Sequence, residues 1–249
     1  MPNDSILAET VTITGNNGDA IEAYAARCQD STPRGGIVVI HHLPGYDIET
    51  KEITRRFAAE GYNAVCPNLY SREAPGADPD DAAAAARAQG GVADEQVVGD
   101  VAGAAAYLKG LSNSNGKVAT IGYCSGGRQS WVCAGNLQLD AAIVCYPGLV
   151  VGEKPEQMSH MKMDPVPELA ATISCPLLGL FGKEDQQPAP KHVAEIDQLL
   201  DEHGKAHEFH SYDDAGHAFF AVNRPAYRPK AAVDGWEKIF GFLGKHLAA

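Results

Sequence analysis

Short apolar runs alternate along the chain with amphipathic segments, and this alternation predicts its secondary structure. Four inner runs are apolar on both faces, namely GIVVIHH, KVATIGY, AAIVCY and PLLGLFG. A strand that is apolar on both faces is covered by helices on two sides, which is typical of a parallel sheet. The pattern predicts strands near residues 10–14, 21–26, 36–41, 63–67, 117–121, 141–146, 176–181 and 207–212. It predicts helices near residues 49–60, 94–109, 125–134, 191–202 and 230–246.

Strands that alternate with helices predict an α/β fold, with a mostly parallel, doubly wound sheet flanked by helices. The first two strands are separated by the turn sequence GNNGD, which predicts an antiparallel hairpin at the sheet edge. No linker or internal repeat divides the chain, so we expect one domain over residues 1–249. The long loop at residues 148–170 is a candidate lid or site wall, and a short helix is expected at residues 82–86.

Length and charge exclude several classes of protein. A chain of 249 residues can bury roughly three quarters of its unfolded surface, so its core needs no disulfide or metal. The formal net charge of -12 disfavours binding to nucleic acid and to anionic lipid. No apolar run reaches the roughly 18–20 residues of a membrane helix, and the N-terminus lacks the features of a secretory signal. We therefore expect a cytoplasmic protein whose six cysteines are reduced thiols.

The strongest chemical signal is the sequence GYCSGG at residues 122–127, directly after a predicted strand and before a predicted helix. Its glycines flank Cys124 in the pattern G-x-nucleophile-x-G, in which the nucleophile lies on a sharp strand-to-helix turn. Glycines let the strand and the helix approach without a Cβ clash, and the helix N-terminus favours a thiolate. We therefore interpret Cys124 as a nucleophile rather than as a buried cysteine in a Gly-rich turn.

A thiol nucleophile needs a base, and this turn is typically followed along the chain by an acid and then a histidine. His217 lies in the sequence DAGHAFF after the last predicted strand, where it can reach back to Cys124. The acid is expected in GKEDQQP, after the preceding strand. Asp185 is the first candidate and Glu184 the second, because a loop can present either side chain. The acid would orient His217 and favour its imidazolium form.

No metal or cofactor is expected from the sequence. Three histidines have a spacing that suggests a metal site: His203, His207 and His210. The segment passes from helix to strand near Gly204, however, which breaks the register that this spacing requires. Phosphate-loop, dinucleotide and H-E-x-x-H motifs are absent.

An oxyanion hole requires two backbone N–H donors. One is expected from Ser125, directly after the nucleophile. The other is expected from Leu43, in the loop HHLPG after the strand GIVVI. Pro44 follows Leu43 and has no N–H to donate, which supports the assignment to Leu43.

Together these motifs resemble the dienelactone hydrolases, or carboxymethylenebutenolidases, a cysteine-nucleophile branch of the α/β-hydrolase superfamily. The resemblance runs from about residue 10 to residue 247, and it is carried by GYCSGG, AVCPNLYSREAPG, SNGKVATIGYC, GKEDQQPAP and DAGHAFF. It implies an α/β-hydrolase fold with a catalytic triad of Cys124, Asp185 and His217. It also implies an oxyanion hole formed by the N–H groups of Leu43 and Ser125.

The resemblance also implies substrate-binding residues, with two departures from the family pattern. The family has a glutamate that contacts the nucleophilic thiol, and His42 stands at that position here. A cationic His42 would instead stabilise a thiolate or bind a substrate anion. Family arginines bind the substrate carboxylate: Arg87 matches one of them, whereas Ala221 replaces the second and leaves Arg224 or Arg228 as nearby substitutes. These departures argue against dienelactone itself as the natural substrate.

We therefore expect a hydrolase that cleaves a small ester or lactone, neutral or anionic, through an acyl-thioester intermediate. The same residues also suit a thioesterase, a peptidase or another acyl hydrolase, and a non-catalytic small-molecule-binding member of the fold is a further alternative. A disulfide-exchange role is disfavoured because the chain has no C-x-x-C motif. We expect no nucleic-acid or membrane partner, and a monomer or a weak homodimer.

Overall fold

One eight-stranded sheet runs through the part of the chain that the computed structural model describes, residues 5–43 and 45–248. Its strands are Ile6–Thr14 (β1), Ala20–Cys28 (β2), Arg34–Ile40 (β3), Asn63–Pro67 (β4), Ser114–Tyr123 (β5), Ala141–Cys145 (β6), Leu177–Gly182 (β7) and His207–Tyr212 (β8). The α-helices are Ile48–Ala59 (α1), Pro79–Ala88 (α2), Asp94–Lys109 (α3), Ser125–Asn136 (α4), Pro190–Glu202 (α5) and Pro229–His246 (α6). Each predicted strand and helix is therefore confirmed, and the short helix at residues 82–86 extends to a full α2. Residues 1–4, part of the N-terminus in which no secretory signal is expected, lie outside the described residues.

The strand order is β1-β2-β4-β3-β5-β6-β7-β8. The β1–β2 and β2–β4 pairs are antiparallel, and the other neighbouring pairs are parallel. The predicted edge hairpin and the predicted mostly parallel sheet are both confirmed. The order reverses at β3 and β5, because the chain leaves β3 toward one edge and β5 toward the other. In sheets of this kind, ligands bind beyond the carboxyl ends of the strands at such a reversal.

Strand β3 illustrates why the inner strands are apolar at successive positions. Ile37 and Val39 pack into the cluster that includes α1 and α6, whereas Val38 and Ile40 pack into the cluster that includes α3. Successive side chains of a strand point to opposite faces of the sheet. Each face therefore needs its own apolar residues, which explains the continuous apolar runs of the sequence.

The loop at residues 148–170 is attached to α4 and does not line the cavity described below. The buried Arg128 donates to the carbonyl oxygens of Leu149 at 3.3 Å and Asp164 at 2.6 Å, and Trp131 Nε1 donates to Val166 O at 3.2 Å. Leu149 is itself buried. The expectation of a lid or a site wall is therefore wrong for this cavity, because these contacts hold the loop against α4 instead.

Two further findings concern the cysteines and the helices of the described residues. None of the six cysteines forms a disulfide there; five are buried and Cys124 is half-buried. Among the described helices, none combines the length and the apolar character needed to cross a bilayer.

Candidate active site

Cys124 occupies a strained turn between β5 and α4. Its φ and ψ are 56° and -120°, a backbone conformation that side chains other than glycine rarely adopt. Two backbone hydrogen bonds stabilise the turn. The Cys124 N–H donates to Cys145 O at 3.1 Å, and the Arg128 N–H donates to Cys124 O at 3.2 Å. Its side chain remains half-buried and lines a cavity. The sharp strand-to-helix turn predicted from the sequence is therefore present.

Two glycines of the motif permit this turn through close backbone contacts. A Cβ on Gly122 would lie well under 3.0 Å from the carbonyl oxygen of Gly126. A Cβ on Gly126 would also lie well under 3.0 Å from the carbonyl oxygen of Ile40, at the end of β3. The start of α4 is thus packed directly against the ends of β5 and β3. This packing brings Cys124 next to the loop that carries Leu43.

His217 and Asp185 form the second part of the site. His217 Nδ1 lies 2.8 Å from Asp185 Oδ2, and the other carboxylate oxygen of Asp185 accepts from Gln187 N at 2.9 Å. The Asp185 side chain is 2% exposed, whereas Glu184 is exposed. The neighbouring Glu184 N–H donates to Ala215 O at 2.9 Å and joins the two loops. Of the two acids left open by the sequence, the structure therefore pairs Asp185 with His217.

His217 and Cys124 line the same cavity, and interaction with the Cys124 thiol contributes to the pKa of His217. Burial alone lowers the pKa of His217, but the hydrogen bond to Asp185 and the negative charges of Asp185 and Cys124 outweigh burial and raise it to about 10. Since Nδ1 faces Asp185, the ring presents Nε2 to the thiol. The three side chains therefore form a continuous series in which the imidazole is protonated at neutral pH.

We expect NMR titration of the imidazole to detect His217 as a cation up to about pH 10. Asp185→Asn removes the carboxylate and should lower the pH at which His217 loses its proton. Because pairing raises the folded-state pKa above 6.5, the stabilisation from His217 is fully present below pH 6.5 and is lost as the pH rises through about 10. Asp213→Asn is the control, because this exposed carboxylate of the same loop pairs with Lys183. Titration of His217 near 6.5 in the parent protein would contradict this account.

The two predicted oxyanion donors belong to the loop after β3 and to the start of α4. Ser125 is the first residue of α4, where a backbone N–H has no acceptor within the helix. Leu43 lines the cavity, and Pro44 lies outside the described residues. The loop before Leu43 is positioned by the buried His41, whose Nε2 accepts from Leu69 N at 3.1 Å and whose Nδ1 contacts His42 O at 3.1 Å. Burial lowers the pKa of His41 to about 4, so this histidine is a neutral structural residue.

A cavity of about 150 Å³ opens at Cys124 and His217. His42 and Tyr123 line it, and within the described residues neither His42 Nε2 nor the Tyr123 hydroxyl has a hydrogen-bond partner. Burial lowers the pKa of His42, and the negative charges of Asp47 and Glu49 offset this only in part. His42 is therefore neutral at pH 7, and the cationic role considered from the sequence does not apply there. Both of these polar atoms are buried, and His42 Nε2 lies 3.8 Å from Asp47 Oδ2.

The candidate arginines occupy three different environments. Arg224 is exposed and lines the cavity. Arg228 donates to the backbone oxygens of Asp214, Pro225 and Tyr227, and so holds the loop on either side of His217. Arg87 is exposed on α2 and does not belong to the described lining of the cavity. Of these three arginines, Arg224 is the one in the described lining of the cavity, whereas Arg87 interacts with Tyr70, which also interacts with Cys124.

One group of described residues has the spacing of metal ligands, with one candidate atom each from His42, Asp47 and Glu49 within 4.8 Å of one another. Asp47 already caps α1 by accepting from Thr50 N at 2.8 Å. The three histidines weighed from the sequence are not brought together as a metal set. His207 pairs with Asp197 and His210 with Glu208, and the predicted change from helix to strand near Gly204 is confirmed.

Several cavity residues were missed from the sequence. Glu49 and Ile53 come from α1, and Phe220 follows His217 by three positions. Tyr146 packs edge-on against the His217 ring, with the ring centres 5.1 Å apart. Tyr146 also lines the cavity. The apolar spacing of α1 predicted a helix, but it did not indicate which positions border the site.

Comparisons with known proteins give the family of this chain and support its fold. A sequence model described as "Dienelactone hydrolase family" matches residues 21–247. The chain is 34% identical to an Escherichia coli protein named "Putative carboxymethylenebutenolidase", over 98% of this chain and 89% of that protein. It is 30% identical to the carboxymethylenebutenolidase of Pseudomonas putida, over 96% and 97% of the two chains. A solved structure named "Putative Dienelactone Hydrolase", from Klebsiella pneumoniae, superposes with a TM-score of 0.84 at 28% identity and covers 96% of this chain and 98% of that one.

Proposed function

Because this chain belongs to the dienelactone hydrolase family, we propose that it cleaves an ester or lactone bond through Cys124, His217 and Asp185. The proposal rests on one observation above all. The half-buried thiol on the strained turn lines the same cavity as His217, and His217 is hydrogen-bonded to the buried Asp185. A nucleophile, a base and an orienting acid in such a series are the parts that nucleophilic acyl transfer needs.

The proposed reaction has two steps. The thiolate of Cys124 attacks the carbonyl carbon, and the N–H groups of Leu43 and Ser125 stabilise the negative charge that develops on the carbonyl oxygen. The imidazolium of His217 gives its proton to the leaving alkoxide as the carbon–oxygen bond breaks, which leaves an acyl thioester. The neutral His217 then takes a proton from water while the water oxygen attacks the acyl carbon. The carbon–sulfur bond breaks, the carboxylic acid leaves, and the Cys124 thiolate and the His217 imidazolium are restored.

The cavity supports a small substrate with at least one polar acceptor near the reacting carbonyl. His42 Nε2 and the Tyr123 hydroxyl lack a hydrogen-bond partner within the described residues, and burying such groups without a hydrogen bond costs free energy. A substrate oxygen that accepts from them recovers that free energy. Arg224 adds a positive charge to the same wall, which suits an ester or lactone that carries a carboxylate. The proposed partner is accordingly a neutral or anionic small molecule.

The acyl thioester is directly testable. After rapid mixing with p-nitrophenyl acetate and an acid quench, we expect intact-mass measurement to detect one added acetyl group per chain. Peptide analysis should locate it on Cys124, because the other five cysteines are buried. The adduct should be lost in Cys124→Ala and kept in Cys175→Ala, which removes a buried thiol away from the cavity. An acetyl group on another residue, or none with continued hydrolysis, would refute the thioester route.

A further inference from the structure

A second cavity continues the candidate active site along α1. It has a volume of about 620 Å³, against about 150 Å³ for the cavity at Cys124. The two share Glu49, Ile53 and Phe220 as lining residues, so one wall belongs to both. Ligand sites for small molecules are typically about 300–1,000 Å³. The cavity at Cys124 is below that range by itself, and the larger one supplies the missing volume.

The rim of this groove is unusually apolar for a protein surface. Ile48 is 78% exposed and Val222 is 58% exposed, and both line the groove. Trp236 and Phe220 line it more deeply. Large apolar side chains that cluster in the open beside a site are typical of a binding surface.

Both arginines of the groove already have partners. Arg55 forms an ion pair with Glu52 and donates to the Tyr24 hydroxyl at 2.6 Å. The guanidinium of Arg56 lies 4.0 Å from the centre of the Trp236 ring, which is a cation–π contact. An anionic ligand would have to displace these contacts, whereas an apolar chain leaves them intact.

We propose that this groove binds the apolar tail of the substrate, so that the natural substrate is an ester with a hydrocarbon extension rather than a compact lactone. The inference rests on the proposed function, because it takes Cys124 as the point at which the carbonyl carbon is held. The tail leaves the Cys124 cavity past Ile53 and Phe220 and covers Ile48 and Val222. Burial of its methylene groups against these side chains supplies binding free energy that the small cavity cannot.

The test measures kcat/KM for two series of esters. One lengthens the acyl chain of p-nitrophenyl esters from acetate to octanoate, and the other lengthens the alkyl alcohol of acetate esters. We expect kcat/KM to rise about twofold to fourfold per methylene in at least one series, as for a methylene group leaving water. Val222→Asp and Ile48→Asp should flatten that rise, because each places a carboxylate where the tail would lie. Ile48 is the first residue of α1, where a carboxylate favours the helix, so this variant should fold.

Val233→Asp is the matched control. Val233 has the same 58% exposure as Val222 but lies on the first turns of α6, away from the groove lining, and this variant should keep the parent dependence on chain length. The groove proposal would be overturned if kcat/KM did not depend on chain length in either series, or if all three variants flattened that dependence equally. In both cases hydrolysis of the short esters would still test the triad. Absence of hydrolysis of every ester would instead reject the proposed function. Dimers in the parent that Val222→Asp dissociates, with an unchanged chain-length profile, would assign the groove to self-association and also overturn the proposal.

Discussion

Replacement of Cys124 by alanine should lower kcat/KM for p-nitrophenyl acetate by about 1,000-fold or more. The sulfur forms the bond to the acyl carbon in the proposed reaction, and a methyl group has no lone pair with which to do so. The fold should survive, because Cys124 is half-buried and the backbone hydrogen bonds of its turn do not involve the side chain. Steady-state kinetics and a thermal melt on the same preparation measure both quantities.

Cys175→Ala is the appropriate control for this substitution. Cys175 is buried in the cluster with α4 and α5, and it does not line the described cavity. Its loss should leave kcat/KM close to the parent value at the cost of a modest decrease in stability. If Cys124→Ala keeps activity within about tenfold of the parent, Cys124 is not the nucleophile.

Replacement of Gly122 by alanine should destabilise the folded chain by about 3 kcal/mol or more and abolish most of the activity. The added Cβ would lie well under 3.0 Å from the carbonyl oxygen of Gly126, a backbone atom that cannot rotate away as a side chain would. Relief of this overlap requires β5 and α4 to separate, which moves Cys124 away from His217. Urea unfolding measures the free energy of unfolding, and ester hydrolysis measures the activity.

Gly241→Ala provides the matched comparison, because it introduces the same methyl group into helix α6. No neighbouring atom lies within 4 Å of a Cβ at Gly241. Alanine is a better helix former than glycine, so this variant should be unchanged or more stable by up to about 1 kcal/mol. Equal stabilities of the Gly122→Ala and Gly241→Ala variants would mean that the close approach of β5 and α4 is not needed for the fold.

The secondary structure was predictable because its signals are local. Continuous apolar runs identified β3, β5, β6 and β7, and the GNNGD turn identified the hairpin of β1 and β2. The motif around Cys124 was predictable for the same reason, since a strand, a Gly-rich turn and a helix are consecutive in sequence. An apolar period of two residues identifies the apolar face of a strand, and a period of 3.6 residues identifies that of a helix. This pattern is the same in any fold that buries the face.

Loop side chains were the least predictable part of the site. Glu184 and Asp185 are adjacent in sequence, yet one is exposed and the other is 2% exposed against His217. Arg224 and Arg228 were equivalent candidates, and only the packing of their loop directs one to the cavity and the other to backbone carbonyls. No periodic pattern orients side chains in a loop, so these choices depend on contacts with segments that are distant in the chain.

The amino-acid sequence by itself determined the α/β class, the positions of the strands and helices, and the strand–turn–helix around Cys124, because each of these follows from residues that are neighbours along the chain. Only the tertiary structure decided which acid meets His217, that the loop at residues 148–170 packs on α4, and that α1 contributes Glu49 and Ile53 to the cavity. It also placed the apolar groove between α1 and Val222. The physical reason is that a cavity is bounded by segments far apart in sequence, and its shape exists only after those segments have packed against the sheet.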